Sequence, residues 1–213
     1  FGFGHGYDWT DYWNDYYTDH HAKSKPTSFA KSIINTLPKK TCKLLEIGCG
    51  NGRDSFYFSG KGHDVSAFDQ SEVIINTLQN SGKNSPHFFI DDIRNISIQP
   101  KEPFDIVYAR FVLHALNEYE AQQAFKWIFE HLNNGGLFYS ESRSIKDNIF
   151  GEGEKIEQNI YKTDHRRRFL EKKDLLKELE SFGFTINYVL EKQGLAVYKD
   201  SDPVVIRVIA QKL

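Results

Sequence analysis

The chain has no methionine at any position, only two cysteines and six prolines in 213 residues, and no apolar run approaching the length of a membrane span. Each shortage removes a class of protein. Cys42 and Cys49 lie on one expected strand and the loop behind it, too close along the chain for an ordinary structural bridge, and no metal-ligand spacing surrounds them. A disulfide scaffold and a zinc module are thereby set aside, and a reducing compartment is expected. A helix needs roughly 20 apolar residues to span a bilayer, and no such stretch is present. The first residues, rich in Gly, Asp and Tyr, do not resemble a signal peptide, so the expected location is the cytoplasm. Charge of one sign is also lacking: 27 Lys+Arg against 29 Asp+Glu leave a net charge of −2, with no global basic field to draw the chain onto nucleic acid. Because methionine is missing even at position 1, the expectation is a trimmed chain or a piece of a longer polypeptide.

What is present fits one domain over residues 1–213, long enough to hold a full core without staples. Its organising stretch is LLEIGCGNGRDSFYFSGKGHDVSAFD, residues 44–69. A short apolar run over 43–47 reads as a buried strand, and Gly48, Gly50 and Gly52 follow at once. Glycines at this spacing let the backbone turn sharply and approach a ligand, and the helix they open presents unpaired amides to it. Gly48, Cys49 and Gly50 are therefore candidate cofactor contacts. A second strand over 64–68 ends in Asp69, followed by Gln70. In a parallel sheet the ends of these strands lie side by side, so Asp69 can accept hydrogen bonds from a ribose whose other end rests on the glycine turn.

Two cofactors compete for such a nucleoside site. The dinucleotide fingerprint has a third glycine where this chain has Arg53, and acidic Glu46 beside the turn would repel a pyrophosphate. A cofactor with a positive charge and an amino group would be attracted instead, as S-adenosylmethionine would be. The motifs EIGCGNG and AFD resemble motifs I and II of the class I S-adenosylmethionine-dependent methyltransferases, and NGRDSFYFSGKGHDV resembles the branch containing tellurite and thiopurine methyltransferases. The resemblance in element order runs from residue 43 to 213. It implies a doubly wound α/β sheet of seven strands, six parallel and one antiparallel, with S-adenosyl-L-methionine bound through Glu46, the glycine turn and Asp69.

The resemblance also implies that Asp92 and Ile93, after a third strand over 87–90, contact the adenine; Asp91 is equally placed by composition. A strand over 104–109 ends at Ala109 on the cofactor side and delivers Arg110 and His114 to the upper rim, beside the transferred methyl in this family. A histidine there can take a proton from an acceptor or orient an anionic one. Helices are expected over 27–37, from Ser71, from Asn117 to 132 and over 171–182, with Gly82 stopping the second. Asn133-Asn134-Gly135-Gly136 reads as a turn into a strand over 137–140, where the family usually carries PGG. Glu141 and Arg143 beyond it form either a structural ion pair or an acceptor contact.

Residues 7–37 form an expected N-terminal segment whose aromatics at 7–17 read either as a helix packed on the sheet or as a lid, with Tyr12 and Tyr17 as acceptor contacts. Residues 144–163 show no sustained periodicity and read as a long excursion above the cofactor end of the sheet. They lead to DHRRRF, where His165, Arg166 and Arg167 offer an anion clamp, the alternative being a solvated charge run. Tyr198, between the last two strands over 184–190 and 204–210, is placed to reach back toward the acceptor. YARFVLHAL, YSESRS, DHRRRF and GLAVYKDSDPVV together resemble methyltransferases of bacterial surface-glycan pathways, some of which modify phosphorylated or phosphoramidate-bearing intermediates.

The expected function is methyl transfer to a small anionic acceptor, without metal, nucleic acid or membrane; the oligomeric state is left open. Rivals are a dehydrogenase, a macromolecular methyltransferase and a silent cofactor-binding domain regulating a fused partner.

Overall fold

The computed structural model describes residues 10, 11, 14, 25–81, 86–163 and 165–213. Seven strands form the main sheet: β1 (Lys43–Ile47), β2 (Asp64–Asp69), β3 (His87–Ile90), β4 (Phe104–Arg110), β5 (Leu132–Arg143), β9 (Phe184–Lys192) and β10 (Val205–Lys212). Their order is β3-β2-β1-β4-β5-β10-β9, and β10 runs antiparallel to both β5 and β9. Six strands are thus parallel and one is antiparallel, as the sequence predicts. The last two strands form an antiparallel pair at one edge of the sheet, with β9 outermost and β10 between it and β5.

Side-chain alternation along the strands divides the core. Leu45, Ile47, Phe68, Val107, Ala109 and Phe138 face one way, where α4 (Glu118–His131) and α5 (Lys172–Ser181) bury Phe125, Ile128, Leu175 and Leu179 against them. Leu44, Val65, Ile106, Tyr108 and Tyr139 face the other way, onto α1 (Ser28–Ile33) and α2 (Arg53–Gly60). On that same face Ala67 meets α3 (Glu72–Gln79) through Ile74, Ile75 and Leu78. The helix expected over 27–37 ends as an α-helix at Ile33 and continues as a 3-10 turn, Ile34–Thr36. Gly82 lies outside the described residues.

Two departures from the sequence reading matter. Strand β5 begins at Leu132, immediately after α4, so Asn133-Asn134-Gly135-Gly136 is an irregular part of the strand and not a turn before it. Pairing with β4 runs Phe104↔Leu132 and then jumps to Ile106↔Leu137. Gly135 absorbs the extra residues with φ +82, and Asn133 Nδ2 ties the irregularity to Asp105 Oδ1 at 3.0 Å.

The excursion over 144–163 is also not irregular. Strands β6 (Glu154–Glu157), β7 (Ile160–Lys162) and β8 (Arg166–Arg168) form a separate antiparallel sheet with order β6-β7-β8. Its strands are three or four residues long, too short for alternation to register, and the hairpin turn uses Asn159 at φ +61 rather than glycine. Phe150 holds the small sheet together, with its ring 5.2 Å from Tyr161 and 5.4 Å from Phe169. Leu170 N donates to Arg143 O, which fastens this layer to the C-terminal end of β5.

Asn117 caps α4 in a capping box: its Oδ1 accepts from Glu120 N at 2.8 Å, and Glu120 Oε1 accepts from Asn117 N at 3.0 Å. Replacing Asn117 with Ala should destabilise the domain by about 1 kcal/mol, lowering the melting temperature by roughly 2–4 °C. Thermal unfolding monitored by circular dichroism measures this; an unshifted transition would show that the box adds nothing.

Candidate active site

Strands β1, β2 and β4 end together at the glycine turn, where a cavity of about 270 Å³ opens. Its walls include Glu46, Gly48, Cys49, Gly50, Asp69, Gln70 and Ile93, seven of the nine positions expected from sequence to hold the cofactor, together with Arg110, expected at the acceptor. Gly48, Gly50 and Gly52 have φ +68, +54 and +79, conformations that glycine alone adopts without strain. At Gly48 space is also decisive, because a Cβ there would lie 2.1 Å from Val112 Cγ1.

Three carboxylates surround this turn, each held differently. Asp69 accepts from Gly50 N at 3.0 Å and from Ser71 N at 2.9 Å, which locks the end of β2 to the glycine turn. Burial pushes its pKa up to about 6, against the pull of those backbone donors. Glu46 is raised well above the ordinary carboxylate range, first by burial and then by nearby Asp54, while Ser55 Oγ donates to its Oε1 at 2.6 Å. Asp54, in the first turn of α2, accepts from Thr27 N at 2.7 Å, Thr27 Oγ1 at 2.8 Å and Tyr108 OH at 2.7 Å. Thr27 also caps α1, so one buried cluster seats α1, α2 and β4 around the cavity. The sequence reading missed Thr27 and Asp54. Their only local signal is an N-cap threonine and an acid in a helix's first turn, and their meeting across 27 residues is tertiary.

Further along the rim the placements differ from expectation. Asp91 lines the cavity, but its carboxylate is spent on the turn, accepting from Ser97 N at 3.1 Å and Ile98 N at 2.9 Å. Asp92 does not line it; its carboxylate pairs with Arg94 at 2.6 Å. Arg94 also donates to Gln70 Oε1 and Thr10 Oγ1, which brings residue 10 to the cavity's edge. Ala109 points into the core, and the cavity wall is made by the three residues after it, Arg110, Phe111 and Val112. Phe111 has φ +55, a backbone conformation costly for an aromatic residue, fixed by its N–H bond to Glu141 O at 2.8 Å. That conformation sets its ring 4.1 Å from the Arg110 guanidinium and 5.6 Å from that of Arg143.

His114 is buried on the 3-10 turn Leu113–Ala115, its ring 6.2 Å from that of His165. Burial lowers its pKa well below the ordinary histidine value, and His165, Arg143, Arg167 and Arg110 lower it further. The imidazole is therefore neutral at neutral pH and faces cationic neighbours. Arg143 pairs with buried Asp147 at 2.5 Å, and Arg167 donates to Thr163 Oγ1 at 2.9 Å.

Three expectations need correction or fall outside. Arg166 alternates with Arg167 on β8 and is exposed; it shares a strand face with Arg168, which lines a different cavity beside Glu118 and Glu178, so it does not join Arg167. Tyr198 is 52% exposed in the β9–β10 connection, bridged to Ser201, and does not line the cavity at the glycine turn. Tyr12 and Tyr17, with most of the expected lid, lie outside the described residues. Glu141 is fully buried and pairs with Arg110 and Arg207, not with Arg143, which pairs with Asp147.

A sheet of this order, with a glycine turn after β1 and an acid closing β2, has the topology of the class I methyltransferase-like α/β fold. Residues 44–136 match the family model described as a methyltransferase domain. A probable S-adenosyl-L-methionine-dependent methyltransferase TehB from Haemophilus influenzae is 36% identical over 99 residues, which cover 45% of this chain and 34% of that protein. An uncharacterized methyltransferase from Staphylococcus carnosus is 30% identical over 130 residues, 60% of this chain and 56% of that one. The chain thus spans between a third and little more than half the length of these relatives. Among solved structures, a SAM-dependent methyltransferase from Methanosarcina mazei superposes with a TM-score of 0.73 at 20% identity, covering 85% of this chain and 97% of that one. The glycopeptide N-methyltransferase MtfA, complexed with S-adenosyl-L-homocysteine, gives 0.68 at 18% identity, covering 92% and 93%. Residues 44–136 are thus similar to methyltransferase domains, and the solved structures share the fold. Among the described residues no helix is long and apolar enough to cross a membrane, and no group of His, Cys, Asp and Glu could hold a metal ion.

Two outcomes test the geometry of the turn. Gly48→Ala should cost about 1–3 kcal/mol from overpacking on Val112 and φ strain together, and Val112→Ala in that background should recover only the packing part; urea unfolding of the three variants separates them. For Asp69 the folded pKa lies above the ordinary 3.8, so the native state binds more protons than the unfolded state between that value and about 6. Its contribution to stability is therefore lost as pH rises through that window. The stability of Asp69→Asn relative to the parent should increase across it and level off above, and a pH-independent difference would contradict the raised pKa.

Proposed function

We propose that this chain transfers the sulfonium methyl of S-adenosylmethionine to a small anionic acceptor. The carrying observation is the pairing of a glycine turn with no room for a Cβ at Gly48 with three buried carboxylates around it. That surrounding favours a cationic ligand and opposes a pyrophosphate. The residues present fit the cofactor: Glu46 would hold its amino group, Gly48, Cys49 and Gly50 would let its backbone-facing edge approach, and Asp69 would accept from the ribose hydroxyls. Gln70, Asp91 and Ile93 line the adenine end. Asp92 remains a candidate there only if its pair with Arg94 opens.

When bound, the cofactor would supply an already activated methyl, to which an acceptor lone pair would bond in line while the C–S electron pair leaves with the neutral thioether. The protein's own residues then align, exclude water and dispose of one proton. His114, the base expected from sequence, does not line the cavity, and burial beside cationic groups opposes its protonation, so it fits orienting an anionic acceptor better than receiving that proton. The cationic surroundings made by Arg110, Arg143, Arg167 and His165 favour an acceptor carrying phosphate, carboxylate or phosphoramidate. A place in surface-glycan biosynthesis is supported by the sequence resemblance described above.

Calorimetry separates the parts of this proposal. Asp69→Ala should weaken S-adenosylhomocysteine binding at least about tenfold, the worth of a charge-assisted hydrogen bond. Preferential binding of a nicotinamide dinucleotide would contradict the cofactor. Arg167→Ala should raise the acceptor KM roughly tenfold while leaving cofactor affinity intact; unchanged acceptor kinetics would remove the anionic acceptor.

A further inference from the structure

Three charged residues stand side by side across the centre of the sheet. Glu141 on β5 is paired in register with Arg110 on β4 and with Arg207 on β10, so all three share one face. The Glu141 side chain has no solvent exposure. Its Oε1 accepts from Arg110 Nε at 2.8 Å, and its Oε2 accepts from Arg207 Nε at 2.5 Å. Only Arg110 reaches the cofactor cavity; Arg207 lines a separate one with Phe29, Tyr139 and Ile209. Arg207 spends its other donors away from the site, on Ser32 Oγ at 3.4 Å, Ser28 Oγ at 3.2 Å and Leu195 O at 2.9 Å.

We propose that Arg207 is a positioning residue for the methyl-donor site, acting through Glu141 on Arg110. Each carboxylate oxygen serves one guanidinium through Nε alone, so the Nη groups of Arg110 are left for the cavity wall. With Arg207 removed, Glu141 would have both oxygens for Arg110, a fork-to-fork pairing would become available, and the guanidinium would withdraw from the cavity. The count of charges moves in the same sense. Two cations and one anion leave the row with one net positive charge beside the cavity, and loss of Arg207 neutralises it. Glu46, the expected partner of the cofactor's amino group, lies within the electrostatic reach of Arg110, which pulls its pKa down against burial. Arg207 also packs over the Phe29 ring at 5.1 Å and bonds α1, whose capping residue Thr27 lines the cavity, so the row ties the donor site to the helix that leads into it.

This inference rests on the cofactor reading above, and the test uses two ligands differing by one charge. S-adenosylmethionine carries a sulfonium and S-adenosylhomocysteine a neutral thioether, so the ratio of their dissociation constants reports the local field and not the fit of the shared nucleoside. Arg207→Gln should lower the ratio Kd(S-adenosylmethionine)/Kd(S-adenosylhomocysteine) by about fivefold, because the cation meets less positive charge. Glu141→Gln should raise it by a similar factor, leaving two uncompensated cations. Arg207→Lys should stay within about twofold of the parent, since a point charge replaces the fork without removing the cation. Arg110→Gln should abolish the response, so that Arg110→Gln/Arg207→Gln matches Arg110→Gln alone. A merely structural role would weaken both ligands together and move the ratio in neither direction; that result, or shifts of the same sign in Arg207→Gln and Glu141→Gln, overturns the inference while leaving the cofactor assignment standing. Parent protein that binds neither nucleoside overturns both. The two single variants change charge in opposite senses, so whichever folds decides the sign.

Discussion

The carboxylate of Asp69 joins two crossovers that sequence separates by 19 residues, accepting from Gly50 N on one side and Ser71 N on the other. Everything at the ligand end is placed by that junction. It holds the glycine turn closed over β1 and starts α3 where Ser71 can cap it. It also puts a buried acid in the cavity wall between the turn and Gln70. Burial raises the pKa of Glu46 well above the usual carboxylate range and that of Asp69 to about 6, so negative charge on either is disfavoured while it has no cationic partner. Such a surrounding is costly in the free protein and is relieved when a cation enters.

Much of this is legible from local patterns. The run over 43–47, the three glycines and the acid at 69 are contiguous signals, because turn chemistry and strand length act within a few residues. Arg110 was also within reach, since it follows a strong strand directly. The partnerships of these groups were not. Asp54 with Thr27 and Tyr108, and Glu141 between Arg110 and Arg207, arise only when separate strands and helices are brought into register. The choice between Asp91 and Asp92 failed for a related reason. Both are acids at a strand end, and only the backbone of 97–98 and the side chain of Arg94 decide which carboxylate is occupied where.

The small sheet β6-β7-β8 shows a different limit. Its strands are stabilised by packing around Phe150 and by attachment to β5, not by any periodicity of their own. Yet this layer brings His165 and Arg167 over the turn bearing His114, which gives the histidine its cationic surroundings. An arginine-rich stretch reads the same in sequence whether it is solvated or folded inward. Alternation on β8 divides it, with Arg167 on one side and Arg166 and Arg168 on the other.

The central claim is that a cationic adenosyl ligand occupies the cavity with its ribose on Asp69. A crystal structure of the chain with S-adenosylhomocysteine measures this directly. The account predicts the nucleoside over the turn at 48–50, both ribose hydroxyls within hydrogen-bonding distance of Asp69, and the amino group facing Glu46. A nucleoside seated elsewhere, or with its ribose turned away from Asp69, would contradict it.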